Sequence, residues 1–427
     1  MREMKDSGIE WIGKIPESWT LTKIKNAAQE IGSGTTPPSH ILDYYDGDVF
    51  WIQSGDIYGK SEIIDTVTRV TIKAVQNLSA LHIYEADFIV IAMYGGSVGN
   101  IAISKIDACT NQACCCIKPS QDINLRYLFY WIFACKDDFL QQAFGGGQPN
   151  ISQSKIKNQY FLKSSLDEQK RIADYLDAKC AEIDALAADI QAQIDTLEQY
   201  KRSIITEAVT KGLNPDAEMK DSGIEWVGKI PNNWTVIPNK YIMNKVKEIC
   251  PEYSGQDILS LTVNGVIVRN LDAGGKMPTS FNGYQRLWKD NLLMCLFDID
   301  VTPRCIGLIK NDGLSSPAYS QFTLHDNAIA EYYYYNYYLM MDYTKELLHM
   351  AKNLRHSLTE DQLGAISVPV PPIEEQRKIA QYLDDKLTEI NTIIDRKKEQ
   401  LEVLDSYKKS LIYEYVTGKK EVPVIAD

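Results

Sequence analysis

Two stretches of the chain carry apolar residues at helical spacing over long spans. In the first, Leu176, Ile183, Ile190, Leu197 and Ile204 recur every seven residues, and Ile172, Leu186, Ile194 and Tyr200 widen the stripe. In the second, Leu383, Ile390, Leu404 and Leu411 keep the same register, Lys397 interrupts it, and Leu387, Ile394 and Leu401 form a second row. Both stretches lack Gly and Pro for about 44 residues. A sevenfold apolar repeat without helix breakers predicts a long amphipathic helix of coiled-coil type. The segments "SLDEQ" and "PPIEEQ" set Ser or Pro ahead of acids in the first turn, as a helix start favours. At about 1.5 Å per residue, each helix spans roughly 65 Å.

The sequence between the helices reads differently. "DFIVIAMYG" and "ACCCIKP" predict strands, and "DGDVFWIQSGDI" mixes strand formers with turn formers. "NLRYLFYWIFACKDDFLQQAF" and the Tyr-rich "EYYYYNYYLMMDYTKELLHM" predict helices. Tyrosines all round a helix cannot all face a ligand, so most are expected to pack.

The chain repeats itself. "MKDSGIEWIGKIPESWT" from Met4 returns as "MKDSGIEWVGKIPNNWT" from Met219, identical at 14 of 17 positions. "EQKRIADYLDAKCAEID" from Glu168 returns as "EQRKIAQYLDDKLTEIN" from Glu375. The second register, offset by 207, runs without a gap from Ile151/Leu358 to Thr210/Thr417. A period this long is a duplicated domain and not a solenoid repeat. The expected layout is a globular domain at 1–164, a helix at 165–212, a second globular domain at 213–371, a second helix at 372–420, and a tail at 421–427. The expected fold class is α+β: two mixed, strand-rich domains joined by two long antiparallel coiled-coil helices in a pseudo-two-fold internal duplication. Each stripe finds its simplest cover in the other helix. The alternative is two unpaired helices, each lying on its own domain. Trp11, Trp19, Trp226 and Trp234 of the repeated phrase are expected to anchor each domain's start, against the scaffold or a partner or by packing inside the domain.

Composition then narrows the class. The longest apolar runs are far short of the roughly 18 residues that span a membrane, and "MREMKDSG" is not a signal peptide. A cytoplasmic protein is expected. Nine cysteines are present, with no CxxC pair. Cys114, Cys115 and Cys116 would alternate faces on a strand, which suits buried small residues better than a metal site. No metal and no cofactor are expected. The net charge is −12, which taken alone disfavours nucleic acid. The two globular segments carry 15 basic against 17 acidic groups and 14 against 18. Nucleic-acid binding would therefore need local basic faces and a basic partner.

Catalytic motifs are missing. "NPDAEMK", from Asn214 to Lys220, shows the letters of a metal nuclease, but it lies in the predicted linker. "MYGGSVGN" lacks the GK[ST] ending of a phosphate loop. No NPPY or DPPY tetrapeptide, Walker A loop or HExxH occurs.

Several segments together resemble a known family. They are "DSGIEWIGKIPESW", "IGSGTTPP", "WIQSGDI", "NQACCCI", "GGGQPNIS", "LSLTVNGVI", "GLSSPAYSQF" and "PVPPIEEQRKIAQYLD". In this order, with both helices, they resemble the specificity (S) subunit of type I restriction-modification systems over essentially the whole chain. The resemblance implies two target recognition domains, each reading one half of a bipartite asymmetric site in double-stranded DNA. It implies helices that bind two modification (methyltransferase) subunits, with restriction subunits added. The chain itself would be non-catalytic, and methylation and ATP-dependent cleavage would lie in the partners. A methylation-only or phase-variable system and a coiled-coil adaptor unrelated to DNA are the alternatives.

The candidate contacts follow. The 207-residue register sets Gln148 opposite Arg355, Pro149 opposite His356 and Asn150 opposite Ser357. Arg suits guanine, while Gln and Asn suit adenine, so one loop could read different bases in the two copies. An ordinary loop is the alternative. Ser33, Thr35 and Thr36 in "IGSGTTPPS" could offer hydroxyls to phosphate. Gln53 and Ser54, Tyr94 and Ser97 of the "MYGGSVGN" hairpin, Ser152, Tyr284, Arg286 and Arg304 complete the DNA-binding candidates. Arg69 and Lys73 are weaker ones. Ile172, Leu176, Ile183, Leu383 and Ile390 are the partner-binding candidates.

Overall fold

Both sevenfold repeats fold as single helices, Leu166–Lys211 and Ile373–Val416. The computed structural model describes residues 2–141, 150–272, 278–325, 330–351 and 356–423. Two units emerge, 1–190 with 399–427, and 191–398. Each unit thus holds one strand-rich head and a half of each long helix.

In the first unit, Ile172, Leu176 and Ile183 are buried in a core shared with Leu411 and Ile412. Lys408 Nζ reaches Asp184 Oδ1 at 2.6 Å, and the Tyr415 and Tyr175 hydroxyls meet at 3.2 Å. Numbers rise on one helix as they fall on the other, so the halves are antiparallel. In the second unit, Lys201 Nζ donates to Asn391 Oδ1 at 2.8 Å, and Lys397 donates to Gln193. That pair is antiparallel too. Lys397, which breaks the apolar register, makes a polar cross-link instead. Leu186 and Tyr200 do not widen the seam. They are 49% and 55% exposed, outside the buried rows.

Each head is built on the same four-stranded antiparallel order. In the first head, β1 (Ala28–Ser33), β2 (Phe88–Ala92), β3 (Ile101–Ser104) and β4 (Cys114–Pro119) lie in the order β1-β4-β2-β3. In the second, β5 (Met243–Val246), β6 (Leu292–Met294), β7 (Ile306–Leu308) and β8 (Ser320–Leu324) lie in the order β5-β8-β6-β7. The additions differ. The first head adds a fifth strand, Glu62–Ile63, parallel to β3, and a three-stranded sheet with Tyr45–Ile52 at its centre, and the second adds two short antiparallel pairs. Strand β2 is buried at every residue, as a strand covered on both faces must be. On β4, Cys115 enters one core while Cys114 and Cys116 enter the other, the alternation that a pleated strand imposes.

The repeated phrase closes each unit. Its hairpin, Met4–Asp6 with Lys14–Pro16, recurs as Met219–Asp221 with Lys229–Pro231. Trp19 and Trp234 are fully buried. Each stands edge-on to a tyrosine at 6.4 Å, Tyr127 in the first unit and Tyr333 in the second. The Tyr127 hydroxyl lies 3.0 Å from Leu162 O and 3.2 Å from Val416 O. The Tyr333 hydroxyl lies 3.2 Å from Pro369 O and 3.3 Å from Val209 O. Val416 and Val209 sit at the C-terminal ends of long helices, where carbonyls lack an intrahelical donor. Just beyond them, Gly418 (φ +70°) and Gly212 (φ +74°) take the left-handed turn that ends each helix. A side chain there would strike Pro16 and Trp19, or Glu375 and Trp234. The phrase is therefore the cover of a helix end, written once for each end.

Candidate DNA interface

In the first head, loops far apart in sequence meet at one edge of the sheets. Gly34 N donates to Thr110 Oγ1 at 3.1 Å, and Thr36 Oγ1 donates to Gln112 Oε1 at 2.6 Å. Trp51 Nε1 donates to Thr35 O at 3.3 Å. Asn111 N reaches Ile52 O at 3.1 Å, and Met93 N reaches Ala113 O at 2.8 Å. Tyr94 and Asn150 form an isolated antiparallel bridge. The edge gathers Ser33, Thr35, Thr36, Tyr94 and Asn150, and it presents hydroxyls, an amide and an aromatic ring.

Their side chains are unequally free. Thr36, Tyr94, Asn150 and Ser152 are exposed, while Ser33, Thr35, Gln53, Ser54 and Ser97 are half-buried. Gln53 Nε2 is engaged with Thr68 Oγ1 at 3.1 Å, and the Gln53 amide nitrogen donates to Asp56 Oδ2 at 2.8 Å. Ser97 Oγ donates to Tyr94 O at 3.0 Å, and Ser152 caps helix Gln153–Asn158. Arg69 is paired with Asp65 at 3.1 Å and Lys73 with Asp43 at 3.1 Å. Gln112 joins the edge although it was not among the sequence candidates. The polar pair Asn111–Gln112 ahead of a buried cysteine run was its signal.

The second head has a matching edge. Ile151 N donates to Met93 O at 2.9 Å, and Leu358 N donates to Leu296 O at 2.8 Å. The 207-residue register pairs Ile151 with Leu358, so Met93 corresponds to Leu296 and Tyr94 to Phe297. Both aromatic rings are partly open, 46% and 37% exposed. Phe297 stacks on Tyr319 at 6.0 Å. It lies outside the gapless register, so the sequence alone did not reveal it. His356 takes φ +46° and its carbonyl accepts from Ile299 N at 3.1 Å. Ser357 and Tyr284 are half-buried. Arg286 is exposed and paired with Glu248 at 3.3 Å. Gln148 and Arg355 lie outside the described residues.

Two sets of candidates are displaced. Ile172, Leu176, Ile183, Leu383 and Ile390 are buried by the chain itself. They support the helix pairs and leave no side-chain surface for a second protein. Arg304 does not join the loop edge described above. It lines a cleft with residues of the long helices, and its Nη2 lies 3.3 Å from the Tyr343 hydroxyl.

Little at these edges is primed for chemistry. All nine cysteines are free and buried, and burial pushes the Cys114 and Cys115 thiols up to about 12. Among the described residues, no group of three or more His, Cys, Asp or Glu is placed to hold a metal ion. None of the described helices is long and apolar enough to cross a membrane.

Two heads on a common frame, with different side chains on equivalent edges, define a two-headed recognition protein. The family model described as the type I restriction modification DNA specificity domain matches residues 16–196 and 311–403, more than half of the chain. The chain belongs to that family, the specificity subunits of type I restriction-modification systems. It is 24% identical over 433 residues to the type I restriction enzyme MjaVIII specificity subunit of Methanocaldococcus jannaschii, covering 96% of this chain and 94% of the relative. It is 24% identical over 206 residues to the EcoR124I/EcoR124II specificity subunit of Escherichia coli, covering 46% and 45%. A chain solved in work on complex assembly and conformational transition of the type I R-M system shares the fold. Its TM-score is 0.67 at 13% identity, over 95% of this chain and 99% of that one.

Proposed function

We propose that the chain reads a split, asymmetric site in double-stranded DNA, one half with each head. The heads are residues 1–164 and 213–371, and the helices at 165–212 and 372–420 are the spacers. The observation that carries this reading is the pair of equivalent edges. The same backbone junction, Met93–Ile151 or Leu296–Leu358, presents Tyr94 and Asn150 in one head and Phe297 and Ser357 in the other. Equal frames with unequal side chains suit two different half-sites, because base edges are read by side-chain donors and acceptors. In the first head, Thr36, Tyr94, Gln112, Asn150 and Ser152 are the open groups, with Ser33 and Thr35 beside them. In the second, Arg286, Tyr284, His356 and Ser357 take this role, and Gln148 and Arg355, paired by the 207-residue register, remain candidates.

The chain is non-catalytic in this reading and acts in the cytoplasm. It docks two modification subunits, which carry methylation, and restriction subunits, which carry ATP-dependent cleavage. Docking falls on the exposed flanks of the long helices. Leu186 and Ile393 occupy equivalent positions there, as do Tyr200 and Tyr407, and all four are exposed. Paired apolar positions outside the helix seam suit two copies of one partner.

Co-expression with the neighbouring methyltransferase in a methylation-free host tests the reading, with adenine methylation mapped by long-read sequencing. A split, asymmetric motif methylated only when both chains are present is the expected result. Exchanging residues 31–158 for another head should change one half of the motif. A stable complex that leaves DNA unmethylated overturns the specificity role.

A further inference from the structure

Each unit has a cleft between its head and its helix halves, and the two clefts are equivalent. The first, of about 440 Å³, is lined by Arg126, Asp184 and Lys408 among others. The second, of about 890 Å³, is lined by the cations Lys201, Arg202, Arg304, Lys310, Lys345 and Lys398 and by the carboxylates Glu198, Asp342 and Asp395. In the gapless register Lys408 corresponds to Lys201, and Asp184 to Asn391.

That last exchange changes the electrostatics. In the first cleft, Lys408 is neutralised by Asp184 at 2.6 Å. Arg126 is held by Glu62 at 2.5 Å and Asp177 at 3.5 Å. In the second, Lys201 meets only the neutral amide of Asn391 at 2.8 Å, with Glu198 at 3.7 Å. Its side chain is just 16% exposed. Burial lowers the Lys201 pKa, the Glu198 carboxylate opposes that shift, and the Arg304 and Lys398 charges add to it. Lys345 and Lys398 have only long pairings, 3.6 Å to Asp342 and 4.0 Å to Asp395. Arg304 makes no ion pair among the described residues; its bond is to the Tyr343 hydroxyl. Six cations face three carboxylates in this cleft and Lys201 is largely out of water, so the surplus positive charge calls for an anion with several acceptor oxygens.

We propose that the second-unit cleft is a phosphate-binding site, anchored by Arg304 and Lys201, with Lys345 and Lys398 at its rim. The occupant is a phosphate group, either of a free phosphorylated small molecule or of a nucleic-acid backbone. In the first-unit cleft Lys408 and Arg126 are closely paired with Asp184 and Glu62, and no anion is expected there. The site goes beyond base reading by the loop edges and does not rest on it.

Calorimetric titration of the full chain with inorganic pyrophosphate, at ionic strength held constant with sodium chloride, tests the site. One saturable binding event per chain is expected. R304Q should weaken it at least tenfold. N391D, at an exposed position, restores the carboxylate of the first cleft and should weaken binding comparably. Displacement of pyrophosphate by a duplex of unrelated sequence assigns the site to backbone phosphate, and persistence beside the duplex assigns it to a free phosphorylated molecule. Absence of saturable binding, or binding that both variants leave unchanged, overturns the proposal.

Discussion

In the first unit, the Trp19 indole donates to Glu168 Oε2 at 2.9 Å and the Arg2 guanidinium lies over its ring at 5.0 Å. In the second, Trp234 fills the equivalent place with its indole nitrogen buried and without a partner. The equivalent acid, Glu375, accepts instead from Asn233 Nδ2 at 3.1 Å. Asn233 stands where the first copy of the phrase has Ser18, a residue too short to compete. One of three differences between the phrases thus redirects a hydrogen bond. The apolar frame survives the change and the polar supplement does not. The clefts teach the same lesson, since a single Asp-to-Asn difference sets a neutral amide against Lys201, whose nearest carboxylate is Glu198 at 3.7 Å. Duplication preserved packing and let polar pairing drift.

The largest test of this comparison removes the shared frame. W19A and W234A should each cost about 3–5 kcal/mol, read in denaturant titrations and as lost hydrogen-exchange protection in the unit concerned. A loss below about 1 kcal/mol in either would show that the phrase is not structural. Y127F and Y333F remove the hydroxyl from two buried carbonyls, and should cost about 1–3 kcal/mol each and nearly equally. Unequal losses would break the equivalence of the two helix-end covers. N233S should free Glu375 for the Trp234 indole and stabilise by about 1 kcal/mol; a loss of stability would show that the Asn233 bond is the better one. The smallest effect is chemical. With thiols at about 12, Cys114 and Cys115 should not react with a disulfide reagent at pH 8 until the chain unfolds, and reaction in the native state would contradict their burial.

The helices, the duplication and the alternation of the cysteine run were legible in the sequence, because periodicity reports burial directly. The repeated phrase was legible as a mount, although its target was not. Nothing in "GKIPESW" says that Trp19 will lie against Gly418, about 400 residues away in the chain. The partner-binding candidates failed for a related reason. A sevenfold stripe marks what is buried, and here the chain's own second helix buries it. The cleft around Arg304 was not legible, because a lone arginine in a loop carries no record of the helix residues beside it.

The sequence by itself determined two long helices, two strand-rich heads and their kinship, since local periodicity and internal identity encode each of these. Tertiary structure alone decided which loops share an edge, which helix end each phrase covers, and which lysine faces an amide in place of an aspartate. Those depend on contacts between residues far apart in the chain, and a side chain's freedom is set by the neighbours that folding brings to it.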